Sequence, residues 1–317
     1  MKTVTSEAAG FPAIAAGAAA AGTAQTAGTA QTVGTEQTAA TAQTARTASA
    51  DKPRSDPDSR GASSTRQPLG ILAALPQELG DLIDAMRAES GVRTITHGRR
   101  DYHVGTVHGA PCVVTLARVG KVAAAATVSA LIHAFDVEGV VFTGVAGGVG
   151  ADVRVGDIVV ANALLQHDVD ASPLFPRFEV PLLGVSRFAA DAALATQLAA
   201  ACERFIADEG TASAARFGTR EPRVHRGLII SGDQFVASAA GVKALRDALP
   251  DALAVEMEGA AIAQVCHEYG VPCAVVRTIS DTADDHAPAS FMSFLTEIAG
   301  AYSNAILTRF LQARSAG

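Results

Sequence analysis

Short, wholly apolar runs recur along this chain, and some of them end abruptly in acids. Residues 253–255 run apolar into Glu256, Met257 and Glu258, and residues 274–276 run apolar into Arg277, Thr278, Ile279, Ser280 and Asp281. A strand that is apolar at every position is buried on both faces, so its sheet needs helices on either side. A carboxylate at the end of such a strand is costly to bury unless a partner or a ligand meets it. Two runs that end this way point to a site at one edge of a sheet.

The same alternation organises the rest of the folded region. Strands are expected near 69–75, 102–107, 112–116, 139–143, 157–165, 227–231, 253–255 and 274–279. Helices are expected near 77–87, 123–135, 189–206, 238–248, 259–268 and 290–312, with residues 144–148 as the exit loop of a strand. That order predicts an α/β layered architecture, a central sheet covered on both faces. Ligands of such sheets gather beyond the carboxyl ends of the strands.

Residues 1–66 are Ala, Thr, Gly, Gln and Ser with almost no large apolar side chains. Such a segment cannot bury enough apolar area to offset the entropy of ordering, so it reads as a disordered low-complexity tail. Residues 67–317 are enough for one domain. Met1 and Lys2 open like a secretory signal, but Glu7 and Pro12 interrupt a weak core of small residues, which argues against one. A net charge of −7 without a basic cluster excludes nucleic acid as the main partner. No apolar run approaches the ~20 residues a membrane helix requires. Four cysteines without CxxC spacing read as reduced thiols of a cytoplasmic protein, with no metal site.

Each acid has a plain alternative. Glu78 suits the N-terminus of its helix. Glu256 can form a buried ion pair with Arg277, and Asp281 can cap a turn in Ser280-Asp281-Thr282. Gly144 to Gly148 can be a tight turn, or can let backbone approach a ligand closely, Gly147 included. Phe235, after Ser231-Gly232-Asp233-Gln234, is either core or a platform for a flat base whose edge the Val236 main chain would read. His167 and Asp168, adjacent in a strand, point to opposite faces and make separate hydrogen bonds rather than a dyad. His286 reads as part of a solvated loop, and no Ser-His-Asp arrangement is visible. Taken together the acids are harder to dismiss, because several strand exits carry an acid or a small-residue loop on one edge.

The ordered segments Leu75-Pro76-Gln77-Glu78, Val119-Gly120-Lys121-Val122, Thr143-Gly144-Val145-Ala146-Gly147-Gly148 and Val155-Gly156-Asp157 resemble a known family, together with Ser231-Gly232-Asp233-Gln234-Phe235, Val255-Glu256-Met257-Glu258 and Ile279-Ser280-Asp281. The series is similar to that of the bacterial 5′-methylthioadenosine/S-adenosylhomocysteine nucleosidases of the nucleoside phosphorylase superfamily, over residues 69–311. The resemblance implies a three-layer αβα sandwich with a central mixed, mostly parallel sheet, and a homodimer. It implies hydrolysis of the N-glycosidic bond of 5′-modified adenine nucleosides, in methionine salvage and the recycling of S-adenosylmethionine by-products. By resemblance Glu78 activates water and Asp281, next to Ser280, protonates adenine N7. Glu258 binds the ribose hydroxyls, with Glu256 and Arg277 in support. Phe235 stacks on adenine, Val236 reads its edge, Met257 flanks the ribose, and Phe291 walls the sugar and the 5′ substituent.

The chemistry is consistent with that division. Adenine leaves readily only when N7 is protonated, so Asp281 must hold or share a proton. The sugar becomes oxocarbenium-like, which a carboxylate on its hydroxyls stabilises. No metal or organic cofactor is required. The chain also departs from the family pattern. Val145 stands where many members have serine, and Arg118 is the one basic residue suited to a phosphate. That leaves a phosphate-dependent phosphorylase as the alternative, and a non-catalytic nucleoside-binding protein as a third reading. Residues 170–178, rich in proline and aromatics, are by resemblance a subunit-contact loop.

Overall fold

The computed structural model describes residues 66–217, 220–283 and 287–316. The expected tail and the His286 loop lie outside the described residues.

The chain opens on β1 (Leu69–Ala73), buried at every position, as its apolar run requires. A 3-10 turn (Pro76–Leu79) and α1 (Leu82–Ser90) follow. One continuous helix was expected here. Gly80 breaks it with a non-helical backbone at φ 54°, and only glycine fits there, since a Cβ would sit 2.5 Å from the Gly300 carbonyl oxygen. Strands β2 (Arg93–His97), β3 (Arg100–Val107) and β4 (Ala110–Leu116) form an antiparallel meander. His108 (φ 52°) and Gly109 (φ 78°) make the two-residue turn between β3 and β4, both left-handed as a tight hairpin demands. β2 escaped the sequence reading because it is an exposed edge strand carrying Arg, Thr and His.

After α2 (Lys121–Phe135) and β5 (Gly139–Phe142) comes β6 (Val145–Gly148). The expected exit loop at 144–148 is therefore mostly a strand, made of residues too small to carry a strand signature. The chain continues through β7 (Ile158–Gln166), the two-residue β8 (Phe188–Ala189) and α3 (Ala192–Phe217), which starts later and runs further than expected. Next come β9 (Val224–Ser231), α4 (Ala239–Ala248), β10 (Ala252–Glu256), α5 (Gly259–Tyr269) and β11 (Cys273–Asp281). The last helical stretch is α6 (Ala287–Phe294), a π-helical turn (Leu295–Ala299) and α7 (Gly300–Ser315).

All eleven strands join one mixed sheet in the order β2-β3-β4-β1-β5-β11-β6-β10-β9-β7-β8. Its central strands, from β4 to β6, run parallel. One apolar cluster gathers Met86, Leu198, Phe205, Tyr302 and Phe310 from α1, α3 and α7 on one face. A second gathers Val128, Leu131, Ile262 and Cys266 from α2 and α5 on the other. These are the three layers. The sheet also closes on itself: β7 pairs antiparallel with β11 through Ile158, Val159 and Val160, so β11, β6, β10, β9 and β7 form a ring. All four cysteines are free and buried. Among the described residues no helix is long and apolar enough to cross a membrane, and no group of potential ligands could hold a metal ion.

Candidate active site

β11 carries Arg277, Ser280 and Asp281; the ring brings the ends of β6, β9 and β10 around it, and the end of β1 approaches from the other side through β5. Asp281 pairs in register with Gly147, and Gly147 with Val255. A Cβ on Gly147 would lie 3.1 Å from Asp281 Oδ1 and 2.9 Å from Ala283 Cβ, so only glycine lets this strand pass so close to the acid. Ser280 Oγ donates to Asp281 Oδ2 at 2.8 Å and the Ala283 N–H to Oδ1 at 2.8 Å. Asp281 thus caps the turn that follows β11, buried at the strand's end.

Glu78 is brought back under the end of β1 by the turn that Pro76 starts. Its Oε2 accepts from the Ala74 and Leu75 N–H groups at 3.0 and 2.8 Å, and its Oε1 from the Val145 N–H at 2.9 Å. Burial pushes its carboxyl above the ordinary range, while Arg277 and these N–H groups pull it back only in part.

Arg277 is the hub. It is 1% exposed, and its guanidinium carbon lies 3.8 Å from the centre of the Phe142 ring. Nη2 donates to Glu256 Oε2 at 2.6 Å and lies 3.9 Å from Glu258 Oε2. Nε and Nη1 are buried without a hydrogen-bond partner. A methyl group at Gly144 would sit 2.5 Å from both Arg277 Nη1 and Glu78 Oε1. The free edge of the guanidinium therefore faces Glu78 across Gly144.

β10 ends at Glu256, and Glu258 already caps α5. The two acids leave the backbone differently yet converge on Arg277. Glu256 is enclosed: it accepts from the N–H groups of Glu258 and Gly259, from Ser231 Oγ and from Arg277. Ser231 Oγ in turn accepts from the Ala260 N–H at 2.7 Å. Glu258 has one such donor, the Gly120 N–H at 2.8 Å. Burial, reinforced by Glu256 beside it and partly offset by Arg277, pushes Glu258 up to about 8. Met257, half-buried, separates the two acids.

The opposite side is apolar and open. Phe235 is 46% exposed on the loop after β9. Its ring meets the half-buried Phe291 of α6 edge-on, with centroids 5.4 Å apart. Val236 packs against the small cluster of Leu165, Ile230 and Val255. Arg118 is exposed, and its Nη2 donates to the Arg99 carbonyl at 2.5 Å. Of the adjacent pair, His167 Nε2 is buried without a partner, whereas Asp168 binds Lys121 and the Asp233 N–H. The sequence reading missed Gly144 and Lys121. The Gly-rich run marked Gly144 only as part of a close backbone approach, and the Val119-Gly120-Lys121 motif marked Lys121 without a role.

The model of the Phosphorylase superfamily matches residues 68–312. An aminodeoxyfutalosine nucleosidase of Helicobacter pylori is 35% identical over 74% of this chain and 94% of its own length. A 5′-methylthioadenosine/S-adenosylhomocysteine nucleosidase of Chromohalobacter salexigens is 35% identical over 73% of this chain and 91% of its own. Among solved structures, the 5′-methylthioadenosine/S-adenosylhomocysteine nucleosidase of Neisseria meningitidis, in complex with methylthio-immucillin-A, superposes with a TM-score of 0.65. It is 34% identical, over 78% of this chain and all of that one.

Proposed function

This chain belongs to the phosphorylase superfamily, and on that premise we propose that it is a nucleosidase that hydrolyses the N-glycosidic bond of 5′-methylthioadenosine and S-adenosylhomocysteine. The observation that carries the reading is the buried set of Glu78, Glu256 and Glu258 around Arg277, with the buried Asp281 at the end of the same strand. In the proposed reaction water attacks C1′ and gives its proton to Glu78, whose burial makes it a stronger base than a solvated carboxylate. The C1′–N9 bond breaks, its electron pair goes to the base, and Asp281 protonates N7 so that adenine leaves neutral. Glu258 holds the ribose hydroxyls through its carboxyl oxygens, and its ionised form favours the oxocarbenium-like sugar. Arg277, oriented by Glu256, turns its unpartnered N–H groups toward the Glu78 side, where the attacking water would sit. Phe235 and Val236 take the base, Met257 flanks the ribose, and Phe291 walls the 5′ substituent. The relatives support this reading through their names, and 5′-deoxyadenosine and aminodeoxyfutalosine belong to the same substrate class.

Charge argues against phosphorolysis. A phosphate dianion here would have to share Arg277, whose Nη2 is already paired with Glu256, with the neighbouring carboxyl groups of Glu78 and Glu258. The Val145 N–H, an obvious donor for an anion, is taken by Glu78. The assay is adenine release from methylthioadenosine in phosphate-free buffer. Turnover that requires phosphate, or none at all, rejects the reading. We place the catalytic domain at residues 67–317 and the enzyme in the cytoplasm, in methionine salvage. We also assign it a homodimer, on the support of the exposed Val122, Leu174 and Leu182; sedimentation at a single monomer mass would refute that.

A further inference from the structure

The loop that bears Phe235 is held at its ends. Before Phe235, the Gly232 N–H donates to the Glu256 carbonyl at 3.1 Å. After it, Ser238 caps α4. Among the described residues, none of 234–237 makes a hydrogen bond. What fixes the direction in which the loop leaves is Asp233, two residues before the ring.

Asp233 sits in a clamp built from three segments distant in sequence. Its N–H donates to Asp168 Oδ2 at 2.9 Å, at the end of the β7 strand path. Its Oδ1 accepts from the Lys121 N–H at 3.1 Å, at the start of α2. Lys121 Nζ closes the clamp, 2.6 Å from Asp168 Oδ1 and 3.8 Å from Asp233 Oδ2. One residue earlier, the Gly120 N–H donates to Glu258 Oε1. Successive amides at the start of one helix thus hold the loop bearing Phe235 and the acid assigned to the ribose. Burial alone would raise the Asp168 carboxyl, but the Lys121 ammonium and the Asp233 N–H bring it below its ordinary range. The Lys121 side chain is 15% exposed, while Asp168 and Asp233 stand 30% and 55% exposed at the rim of the clamp.

We propose that Lys121, through its clamp on Asp168 and Asp233, is a positioning residue that registers the adenine-bearing loop against the ribose acid Glu258. This role rests on the nucleosidase reading. Lys121 touches neither base nor sugar; it sets the distance between the groups that do. Losing the ammonium leaves the Lys121 N–H in place but frees Asp168 and lets the loop sample other exits. The ground-state complex then weakens more than the chemical step.

The test uses the full-length protein with Lys121→Met, Asp168→Asn, the double variant and Lys121→Arg. KM and kcat for methylthioadenosine are measured alongside the calorimetric Kd of adenine alone. The clamp predicts a rise of about five- to tenfold in KM and in adenine Kd for either single variant, with kcat changed less. It predicts a double variant no worse than the worse single, since both break one contact. Lys121→Arg restores binding to within about threefold, an effect that simple destabilisation would not show. If Lys121→Met fails to fold, Asp168→Asn carries the test. Unchanged KM and Kd in a folded single variant, or full additivity in the double, overturns the clamp. If the wild type binds adenine but releases none from nucleosides, the nucleosidase reading fails and the adenine Kd still decides the clamp. A wild type that does not bind adenine overturns both.

Discussion

Around Arg277 the site is closed: Glu78, Glu256 and Glu258 are all buried, and Glu256 is bonded on every side. Around Phe235 it is open, with an exposed ring on a stretch of loop that makes no hydrogen bonds of its own. The proposed sugar side is part of the interior of the fold, so its geometry is set before any ligand arrives and its defects are felt throughout the molecule. The proposed base side is surface, so its defects stay local. Bond breaking needs charges held still in a dry place, whereas a flat base needs a face it can reach from solvent.

Substitutions should separate the two sides. Asp281→Asn or Glu78→Gln, which remove the proposed proton donor or the proposed base, should lower kcat by about a hundred- to ten-thousand-fold. Glu78→Gln puts an NH2 donor where a carboxyl oxygen accepts buried backbone N–H groups and should also lower Tm; an unchanged Tm would show that those N–H groups find another acceptor. Glu256→Ala leaves Arg277 buried without its closest partner and should cost about 3–5 kcal/mol in urea unfolding. Phe235→Ala should raise KM by about tenfold, as loss of one stacking face implies, with Tm unchanged. A Phe235→Ala variant that loses stability while Glu256→Ala does not would invert the comparison.

The smallest effect is in pH. Glu258 holds its proton more tightly folded than unfolded, so its contribution to stability is complete below its ordinary range near 4.5. That contribution is lost as pH rises toward about 8. Tm of the free protein should fall across that window, and Glu258→Gln should flatten the slope. An unchanged slope in that variant assigns the titration elsewhere.

Legibility in the sequence followed the same division. Strands buried on both faces declare themselves as apolar runs, so β1, β5, β9, β10 and β11 were visible, along with the acids at their ends. β6 was hidden because Val145-Ala146-Gly147-Gly148 has no propensity to speak for it; β11 and β10 on either side make it a strand. Closure of the ring was hidden too, since nothing local to β7 says that it will meet β11. The pairing of Glu256 with Arg277 could be named from two strand ends. The clamp of Lys121, Asp168 and Asp233 could not, because its members lie on segments whose neighbourhood only the finished sheet defines.

β11 is the last strand in the chain yet lies in the middle of the sheet, bonded to β5, β6 and β7. Until it inserts, the earlier strands are two separate platforms, and the gap between them can be filled only by contacts distant in sequence, the slow kind to form. Arg277 and Asp281 ride on that strand. Competence for the reaction is therefore acquired at the step that joins the platforms, and a partly folded chain contains no half-built version of the site that could act on its own.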